Sequence, residues 1–553
     1  MNGPIQPPEL PPRYYLSNFT RLLDTVASQY GDLLAPREHA FLQMFAQASE
    51  ALRCLYVRLV SRRGPLFRTG QLDYPELGDL AAALQEGVAC GLLQREDSPD
   101  FAALATLLRK AELAAIYGDA LVDARRLRKP ELVAAVTAAF DEAALVAGWR
   151  RWRDDDDWLV APASTEVVAL LQLLFFGNGY QDLTEFVLSD LGYANYARYS
   201  LNPDYRLFST RAEIDEYLEL LQLKQIFRNT TAVGDRGTLV ALGRRLRGPA
   251  AGPAVVELRN RLRLRLARQC EREGFLGEAR ALYQTCNLHP ARQRLARLLA
   301  PTDPASAYAL CEAIESDPWC EAERDFARRS LPPLAKRLGR PSASPPRDAF
   351  TQDRLCLPRQ SHVEQAALRH YLQSWPEAYH LENLLFNASF GLAFWEQIFA
   401  PVPGAFVNPF QAAPLDMHSP RFLRARRTAL EQRLEELAQV DLAVCLLTAY
   451  QRHQGITNVW VAWRAGLKEV LEKALRTIPR AHWLAIWRRM LFDPDANRNG
   501  FPDLLLLYPG EAYQLVEVKG PGDQLQANQR RWMRFFKTQG IPASLCRVSW
   551  RDD

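Results

Sequence analysis

Three charged residues near the end of the sequence border two strongly apolar runs. Asp503 follows a proline and immediately precedes LLLLY, whereas Glu517 and Lys519 close the run AYQLVEVK. Carboxylates and an ammonium group that converge can hold a divalent cation and stabilise a phosphate undergoing attack. Whether these side chains meet depends on the elements that carry them.

The two apolar runs predict the strands of a β-hairpin. The tripeptide PGE between them is typical of a tight hairpin loop. Pairing that is symmetric about Gly510 puts Asp503 opposite Glu517, with their β-carbons about 5 Å apart. Because strand side chains alternate, Lys519 lies on the face of Glu517 while Val518 points the other way. The sequence therefore predicts that two carboxylates and one ammonium group converge.

A cluster of this kind is suited to phosphodiester hydrolysis. Like charges directly opposite each other destabilise a sheet unless a cation lies between them. Mg²⁺ and Mn²⁺ take carboxylate and carbonyl oxygens and keep water positions open, and an adjacent lysine can steer the attacking water. This is the P-D...(E/D)-x-K arrangement of restriction-endonuclease-like nucleases. The structural alternative is that E-x-K occurs by chance on an amphipathic strand and that Asp503 merely begins a strand.

A further acid is expected from a preceding helix. The segment YHLENLLFNASFGLAFWEQIF places Glu382 at the head of an apolar helix, and Glu396 near its other end is the competing candidate. After Lys519 we expect a turn, an N-cap at Asp523 and an amphipathic helix over QLQANQRRWMRFFK, whose aromatic residues, Trp532 among them, pack on the sheet. ASLCRVSW then returns as a strand.

Composition indicates a multidomain protein. The 553 residues are 48% hydrophobic and 24% charged, which suffices for several domains of about 100 to 200 residues each. The nine cysteines include no C-x-x-C pair, so we expect neither zinc nor a disulfide framework. With no run of about 20 apolar residues and no signal-peptide pattern in MNGPIQPPELPP, we expect no membrane contact and a cytoplasmic location. The net charge of +4 is small, but the basic residues are mostly arginine and clustered.

Short amphipathic helices are expected from Tyr14 to about residue 145. Within them, FAALATLLRKAELAAIYGDALVDARRLRKPELVAAVTAAF predicts two helices around a basic turn formed by Arg125, Arg126, Arg128 and Lys129. A SAP-like DNA-binding pair and a helical hairpin with a solvated basic end fit this pattern equally well. The acidic run in WRRWRDDDDW is expected to be a solvated loop rather than a metal site, since adjacent side chains diverge.

Residues from about 160 to 345 are predicted to be helical throughout. EGFLGEARALYQTCNLHP and TDPASAYALCEAIESDP resemble tetratricopeptide-like helical pairs without the full repeat signature. ELRNRLRLRLARQCERE is predicted to be a helix with arginines on an exposed arc, for which a solvated face and phosphate contact both stay open. RLGRPSASPPRDAFTQDRLCLPRQ predicts a linker before a domain that starts near residue 350.

These segments together resemble one protein family. FPDLLLLYPGEAYQLVEVKGPGDQLQANQRRWM resembles the VRR-NUC domain, AFVNPFQAAPLDMHSPRFLRARRTALEQRL resembles the insertion peculiar to the Fanconi-associated nucleases, and RYYLSNFTRLLDTV and LRCLYVRLVSRR are similar to the start of that family. The chain is identified as a bacterial member. The resemblance implies a mostly α protein that ends in an α/β restriction-endonuclease-like domain with a mixed sheet, helical flanks and a helical insertion. The expected domains are an N-terminal helical DNA-binding domain at 1–80, a SAP-like module at 81–150, a tetratricopeptide-like region at 151–345 and the nuclease domain at 346–553.

The family implies a structure-selective DNA nuclease. Its members act as 5′ flap endonucleases and 5′ to 3′ exonucleases in interstrand crosslink repair, with Mg²⁺ or Mn²⁺. Carried over to this sequence, Asp503, Glu517, the Val518 carbonyl and Glu382 would bind metal, and Lys519 would be the catalytic lysine. Two alternatives stay open: a junction resolvase or restriction-type enzyme on the same core, and a non-catalytic DNA-binding scaffold.

Branched or flapped DNA is the expected partner, held by basic clusters that contact phosphates without reading sequence. The predicted contacts are Arg58, Arg62, Arg63, Arg125, Arg126, Arg128, Lys129, Arg421, Arg424, Arg426 and Arg427, with the amides Gln524 and Asn528. Animal members carry basic residues at the positions of these two amides, in a pocket for a 5′-terminal phosphate. Amides bind a phosphate more weakly than arginine or lysine, so a 5′-phosphate is expected to add little here unless Arg292 or Arg294 supplies the charge.

Overall fold

The computed structural model of the chain describes residues 13–62, 64–121, 126–178, 195–230, 236–248, 250–341 and 348–551. The chain forms two compact units, Met1–Ala194 and Asn195–Asp553. Within the described ranges no single helix has both the length and the hydropathy of a membrane span. Two consecutive helices, Lys129–Ala139 and Glu142–Trp152, reach that length and hydropathy only when they are taken together, and the chain bends sharply between them.

The first unit combines helices with a small sheet. Its described helices are α1 (Tyr14–Tyr30), α2 (Pro36–Gln47), α3 (Glu50–Val60), α4 (Leu80–Cys90), α5 (Phe101–Leu107), α6 (Lys110–Tyr117), α7 (Lys129–Ala139), α8 (Glu142–Trp152) and α9 (Thr165–Phe176). Three antiparallel strands, in the order β1-β3-β2, are β1 (Phe67–Arg68), β2 (Leu93–Glu96) and β3 (Leu159–Pro162).

The expectation of helices alone up to about residue 145 is therefore wrong. The strands are two to four residues long, too short to show an alternating pattern, and β3 pairs with strands far upstream in the sequence. The sheet also crosses both expected domain boundaries in this part of the chain, because β1 precedes residue 80, β2 lies between residues 80 and 150, and β3 follows residue 150.

The acidic run before β3 is not wholly solvated, which corrects a second expectation. Asp157 is 7% exposed because the Nε of buried Arg68 donates to its Oδ2 at 3.0 Å and the Gly70 N–H donates to its Oδ1 at 3.1 Å. Arg68 also donates to Glu112 on α6 at 2.8 Å. One aspartate of the run thus joins a buried ion cluster that ties β1 to α6.

The second unit begins with a helical region. Its described helices are α10 (Arg211–Thr230), α11 (Arg236–Arg245), α12 (Pro253–Arg272), α13 (Leu276–Gln284), α14 (Ala291–Leu299), α15 (Pro304–Ser316) and α16 (Glu321–Arg337). The arginine-rich segment is helical, as predicted, within α12. Its arginines are not all on an exposed arc, since Arg263 is partly buried and donates to the Leu246 carbonyl oxygen at 3.0 Å.

The remainder of the second unit is an α/β domain. Its strands are β4 (Thr351–Leu357), β5 (Glu377–His380), β6 (Leu504–Tyr508), β7 (Ala512–Lys519) and β8 (Ala543–Trp550). Its described helices are α17 (Val363–Tyr371), α18 (Leu384–Ala393), α19 (Trp395–Ile398), α20 (Pro420–Leu437), α21 (Leu442–His453), α22 (Leu467–Thr477), α23 (Arg480–Phe492), α24 (Pro494–Asn497) and α25 (Ala527–Gln539).

The five strands form one mixed sheet in the order β4-β8-β7-β6-β5. β4, β8 and β7 run parallel, while the hairpin β6–β7 and the pair β5–β6 are antiparallel. The hairpin pairs Tyr508 with Ala512 and Leu504 with Val516, which is the predicted register about Gly510. The strand over ASLCRVSW and the mostly helical class with a C-terminal mixed sheet are confirmed.

Side chains of the hairpin alternate between the two faces of the sheet, and both faces are buried. Leu505, Leu507 and Leu515 join a core with Trp532 and Phe536 of α25. The intervening hairpin residues pack on the other face, with α17. Two-sided burial explains the unbroken apolar runs in the sequence, and it confirms that Trp532 packs on the sheet.

A buried ion pair ties the helical region to the α/β domain. Glu321, at the start of α16, lies 3.1 Å from Arg489 Nη2 on α23, and its backbone N–H donates to Asp493 Oδ2 at 2.9 Å. The Arg489 guanidinium also lies over the Trp532 ring at 4.9 Å, and burial lowers the pKa of Arg489 to about 10. The pair thus anchors α16 beside α25.

We expect Glu321→Ala to lower the free energy of unfolding of the second unit by about 3 kcal/mol, because it leaves the Arg489 charge buried without its partner. Urea unfolding of the full chain, followed by tryptophan fluorescence, measures this. Glu472→Ala is the matched control, since it breaks an exposed pair with Arg476 and should cost under about 0.5 kcal/mol. Equal losses in the two variants would contradict the assignment.

Candidate active site

The hairpin brings the predicted charged residues together. Extending the observed register by one residue beyond Leu504 places Asp503 opposite Glu517. The Val518 N–H donates to Asp503 Oδ2 at 2.8 Å, and Lys519 Nζ lies 2.8 Å from Glu517 Oε1. Two carboxylates and one ammonium group therefore meet at the end of β7.

The two carboxylates are held away from water. Glu517 is 0% exposed, and burial together with the nearby charge of Asp503 raises its pKa to about 8. Burial also raises the pKa of Asp503, against the hydrogen bond from Val518. The site therefore disfavours the simultaneous ionisation of both carboxyl groups, and a cation bound between them would lower the cost of that ionisation.

The donor set fits a hard divalent cation. Glu517 Oε2 is buried and accepts no hydrogen bond from any residue that the structure describes. A buried carboxylate oxygen without a donor is costly unless something positive meets it, and Mg²⁺ and Mn²⁺ prefer such oxygens. Val518 stays a predicted ligand through its carbonyl oxygen, while its side chain is buried among the apolar residues on the other face of the sheet.

Glu382 adjoins this pair but does not begin a helix. β5 extends the sheet as far as His380, and α18 starts only at Leu384, so Glu382 lies in the connecting turn. Its φ of +44° is unusual for a residue with a side chain. The turn is held by N–H groups of Leu381 and Glu382, which donate to the Asp503 carbonyl oxygen at 3.0 and 3.2 Å.

The Glu382 carboxylate is not buried with the pair. It is largely exposed, and its Oε1 lies 3.5 Å from His380 Nε2. Accordingly, no three acidic, histidine or cysteine side chains converge on a metal position in the described part of the chain. Glu382 stays a predicted ligand. The competing acid, Glu396, instead lies beside Arg452 at 3.7 Å.

A residue that sequence reasoning missed completes the site. Gln529 on α25 donates from Nε2 to Glu517 Oε1 at 2.6 Å, while its Oε1 accepts from the Gln526 N–H at 2.9 Å. This is the reciprocal cap of the helix start, so the amide is held at both ends. The available signal was a polar side chain on the buried face of an amphipathic helix, three residues after its N-cap.

The N-cap of α25 is Gln526, so the prediction of Asp523 is wrong. Asp523 closes the preceding turn instead, where its Oδ2 accepts from the Gly520 N–H at 3.2 Å. Of the two predicted DNA-binding amides, Gln524 is exposed and Asn528 is half-buried, with its Oδ1 accepting from the Gln529 N–H at 3.0 Å.

The basic residues of α20 divide into exposed and buried groups. Arg424 and Arg427 are exposed, and half-buried Arg421 donates to the Pro403 carbonyl oxygen. Arg426 is 3% exposed and donates to buried Asp416 at 2.9 Å. The prediction that Arg426 contacts DNA is therefore wrong, because its guanidinium is the internal partner of a carboxylate.

The predicted phosphate contacts of the first unit are mostly engaged within it. Arg58 pairs with Glu76 at 2.8 Å, and Arg62 donates to the Tyr74 hydroxyl at 2.8 Å. Arg128 pairs with Glu131 at 2.6 Å while 85% exposed, and Lys129 donates to the Thr106 carbonyl oxygen at 3.2 Å. Arg126 is described, whereas Arg63 and Arg125 lie outside the described residues. All of these stay predictions as DNA contacts.

The two arginines that could have supplied a missing 5′-phosphate charge are also in ion pairs. Arg292 lies 2.6 Å from Glu323, and Arg294 lies 3.2 Å from Glu271. Because each guanidinium group already pairs with a carboxylate, neither arginine is readily available to bind a phosphate.

Family comparisons cover three parts of the chain. Three family models match the chain: FAN1, HTH domain at residues 13–94, Fanconi anemia-associated nuclease SAP domain at residues 100–149, and VRR-NUC domain at residues 439–550. Fold and site together define a metal-dependent DNA nuclease whose catalytic domain is of the VRR-NUC type.

Full-length comparisons give the family. A Fanconi-associated nuclease 1 homolog of Pseudomonas aeruginosa is 38% identical over 569 residues, which cover 100% of this chain and 98% of that protein. The homolog of Arabidopsis thaliana is 27% identical, with 98% and 68% covered. The crystal structure of paFAN1 bound to 2nt 5′flap DNA with gap matches with a TM-score of 0.82 at 36% identity, covering 99% of this chain and 100% of that one. The chain belongs to the Fanconi-associated nuclease family, and the resemblance stated from its sequence is confirmed.

We expect Gln529→Ala to weaken metal-dependent cleavage and the apparent metal affinity by about 10- to 100-fold, as is typical when a group that orients a ligand is removed. Initial rates at graded Mn²⁺ concentrations measure this, with unfolding followed in parallel. Gln539→Ala, at the exposed end of the same helix, is the control and should behave as wild type. An unchanged Mn²⁺ dependence in Gln529→Ala would show that the hydrogen bond to Glu517 has no part in the site.

Proposed function

We propose that this protein hydrolyses phosphodiester bonds in DNA at 5′ flaps, as an endonuclease and a 5′ to 3′ exonuclease, in the repair of interstrand crosslinks. The observation that carries the proposal is the convergence of Asp503, Glu517 and Lys519 at the end of β7. The choice of flap DNA is supported by the relative whose structure holds a 5′ flap. The proposal includes a cytoplasmic location at the bacterial chromosome, since the proposed substrate is DNA.

In this proposal Mg²⁺ or Mn²⁺ is the cofactor, and Asp503, Glu517 and the Val518 carbonyl oxygen would hold it, with Glu382 as a further acid. A cation held there would supply positive charge for the phosphate and Lewis acidity for the activation of water. The protein supplies orientation. The Val518 N–H fixes one oxygen of Asp503, and Gln529 and Lys519 both fix Oε1 of Glu517, so Oε2 is left for the cation.

Lys519 is the proposed catalytic lysine. Its side chain is only 12% exposed, and its Nζ lies 2.8 Å from Glu517 Oε1. Held there, the ammonium group can donate to a non-bridging phosphate oxygen or to the attacking water as negative charge accumulates. Because this contact strengthens in the transition state, losing it should slow cleavage more than it weakens DNA binding.

We expect Lys519→Ala to slow cleavage of a labelled 5′ flap by about 10²- to 10³-fold in Mg²⁺ or Mn²⁺, with DNA affinity largely retained. Rates on 5′ flap, 3′ flap, four-way junction and linear duplex test the substrate choice in the same assay. Lys468→Ala on α22 is the lysine control. Wild-type rates in Lys519→Ala would refute the catalytic assignment, and paired symmetric cuts in the junction would favour the resolvase alternative.

A further inference from the structure

A cavity lies between the helical region and the insertion helix of the nuclease domain. Its volume is about 470 Å³, within the range of small-molecule sites. One wall is the start of α12, a second is the loop at Asn287 and Leu288, and the third is the start of α20. We call it the α12–α20 cavity. It is separate from the carboxylate site, and two of its lining residues, Arg421 and Arg424, are among the predicted phosphate contacts.

The α20 wall is positively charged. Arg421 and Arg424 both line the cavity. Arg424 is exposed and makes no ion pair or hydrogen bond to any residue in the described ranges, and Arg421 donates to a neutral carbonyl oxygen. The acid of the opposite wall, Glu257, is paired with Arg261. The uncompensated charge is therefore that of two guanidinium groups, whose fork geometry suits a phosphodiester.

The other two walls are apolar with amide groups between them. Val256 is 42% exposed, and Leu288 lines the same cavity. Asn260, 4% exposed, accepts at Oδ1 from the Asn287 N–H at 3.4 Å. Its Nδ2 has no hydrogen-bond partner within the described ranges. Aliphatic surface beside an open amide is the environment of a nucleobase rather than of a phosphate.

We propose that the α12–α20 cavity binds one unpaired nucleotide of the DNA substrate, with its base against Val256 and Leu288 and its phosphate at Arg421 and Arg424. A paired nucleotide is excluded, because its base is stacked inside the duplex and cannot enter a cavity. A duplex backbone alone would gain nothing from the aliphatic walls. The inference rests on the proposed function and specifies which part of a flap substrate this protein holds outside its catalytic centre.

The cavity is joined to the catalytic hairpin through the chain that forms its third wall. His418, just before α20, lies with Nε2 3.4 Å from Arg498 Nη1. The Arg498 carbonyl oxygen in turn accepts from Asn387 of α18 at 2.9 Å, and the chain continues from there into Asp503 and β6. A single-stranded nucleotide held at Arg424 would thus have a defined position relative to the segment that carries Asp503.

The test compares two DNAs, a nicked duplex and the same duplex with a short single-stranded 5′ flap. Fluorescence anisotropy in EDTA gives the ratio of their affinities for the full chain without cleavage. We expect Arg424→Ala and Val256→Asp each to lower the preference for the flap by about tenfold, the typical effect of losing one contact to a charged group or placing a carboxylate against a phosphate. Val256 is exposed, so its substitution should leave the fold intact.

Arg476→Ala is the matched control, since Arg476 is an exposed arginine of the same unit that lies outside the cavity and is not among the predicted DNA contacts, so the affinity ratio should stay unchanged. Abasic residues in the flap should lower wild-type affinity as Val256→Asp does. An unchanged ratio in both cavity variants would overturn the inference, and equal binding of abasic and normal flaps would overturn the placement of the base. Cleavage of the same DNAs by wild type in Mg²⁺ separates this from failure of the proposed function, which would show as no cleavage at all.

Discussion

Asp503 and Glu517 face each other across a buried hairpin, and the repulsion between their carboxylates is the constraint on which the site depends. Burial and proximity raise the pKa of Glu517 to about 8. Neutral partners offset part of that cost, through the Val518 N–H on Asp503 and the Gln529 amide on Glu517. The remaining oxygen, Glu517 Oε2, is left for a cation. A bound cation would therefore stabilise the pair in its ionised form.

The surrounding structure keeps the two carboxylates from separating. Both faces of β6 and β7 are buried, so a one-residue slip would exchange every side chain between two cores and is strongly disfavoured. Packing of Trp532 on the sheet holds α25, and with it Gln529, over Glu517. Arg489, paired with Glu321, extends this support to the helical region. The helical region thus belongs to the same compact unit as the carboxylates.

The parts of the site that could be predicted are those set by local pattern. Asp503, Glu517 and Lys519 follow from a hairpin whose loop and alternation determine the pairing within about twenty residues. Gln529 could not be predicted to contact Glu517, because the approach of α25 to β7 depends on the packing of its aromatic face. Glu382 was misplaced for a related reason: β5 ends in a turn held by the Asp503 carbonyl oxygen, a contact distant in sequence.

Errors elsewhere have the same physical origin. The sequence of an arginine cluster does not show which arginine faces inward. In the structure Arg426 is the buried one, because it pairs with the buried carboxylate of Asp416. Short strands of the first unit carry too few residues to show alternation, and Asp157 is buried by Arg68, which lies far upstream. Class and family, by contrast, depend on long apolar patterns and on motifs that persist in the sequence, and both were confirmed.

The central claim is that the Asp503–Glu517 pair is a cation site. Titration of Mn²⁺ into the DNA-free protein, followed by electron paramagnetic resonance of the free ion, tests it most directly. The account predicts saturable uptake by wild type and affinity weaker by more than about tenfold when Asp503→Asn and Glu517→Gln are combined. Equal Mn²⁺ uptake by wild type and this double variant would contradict it.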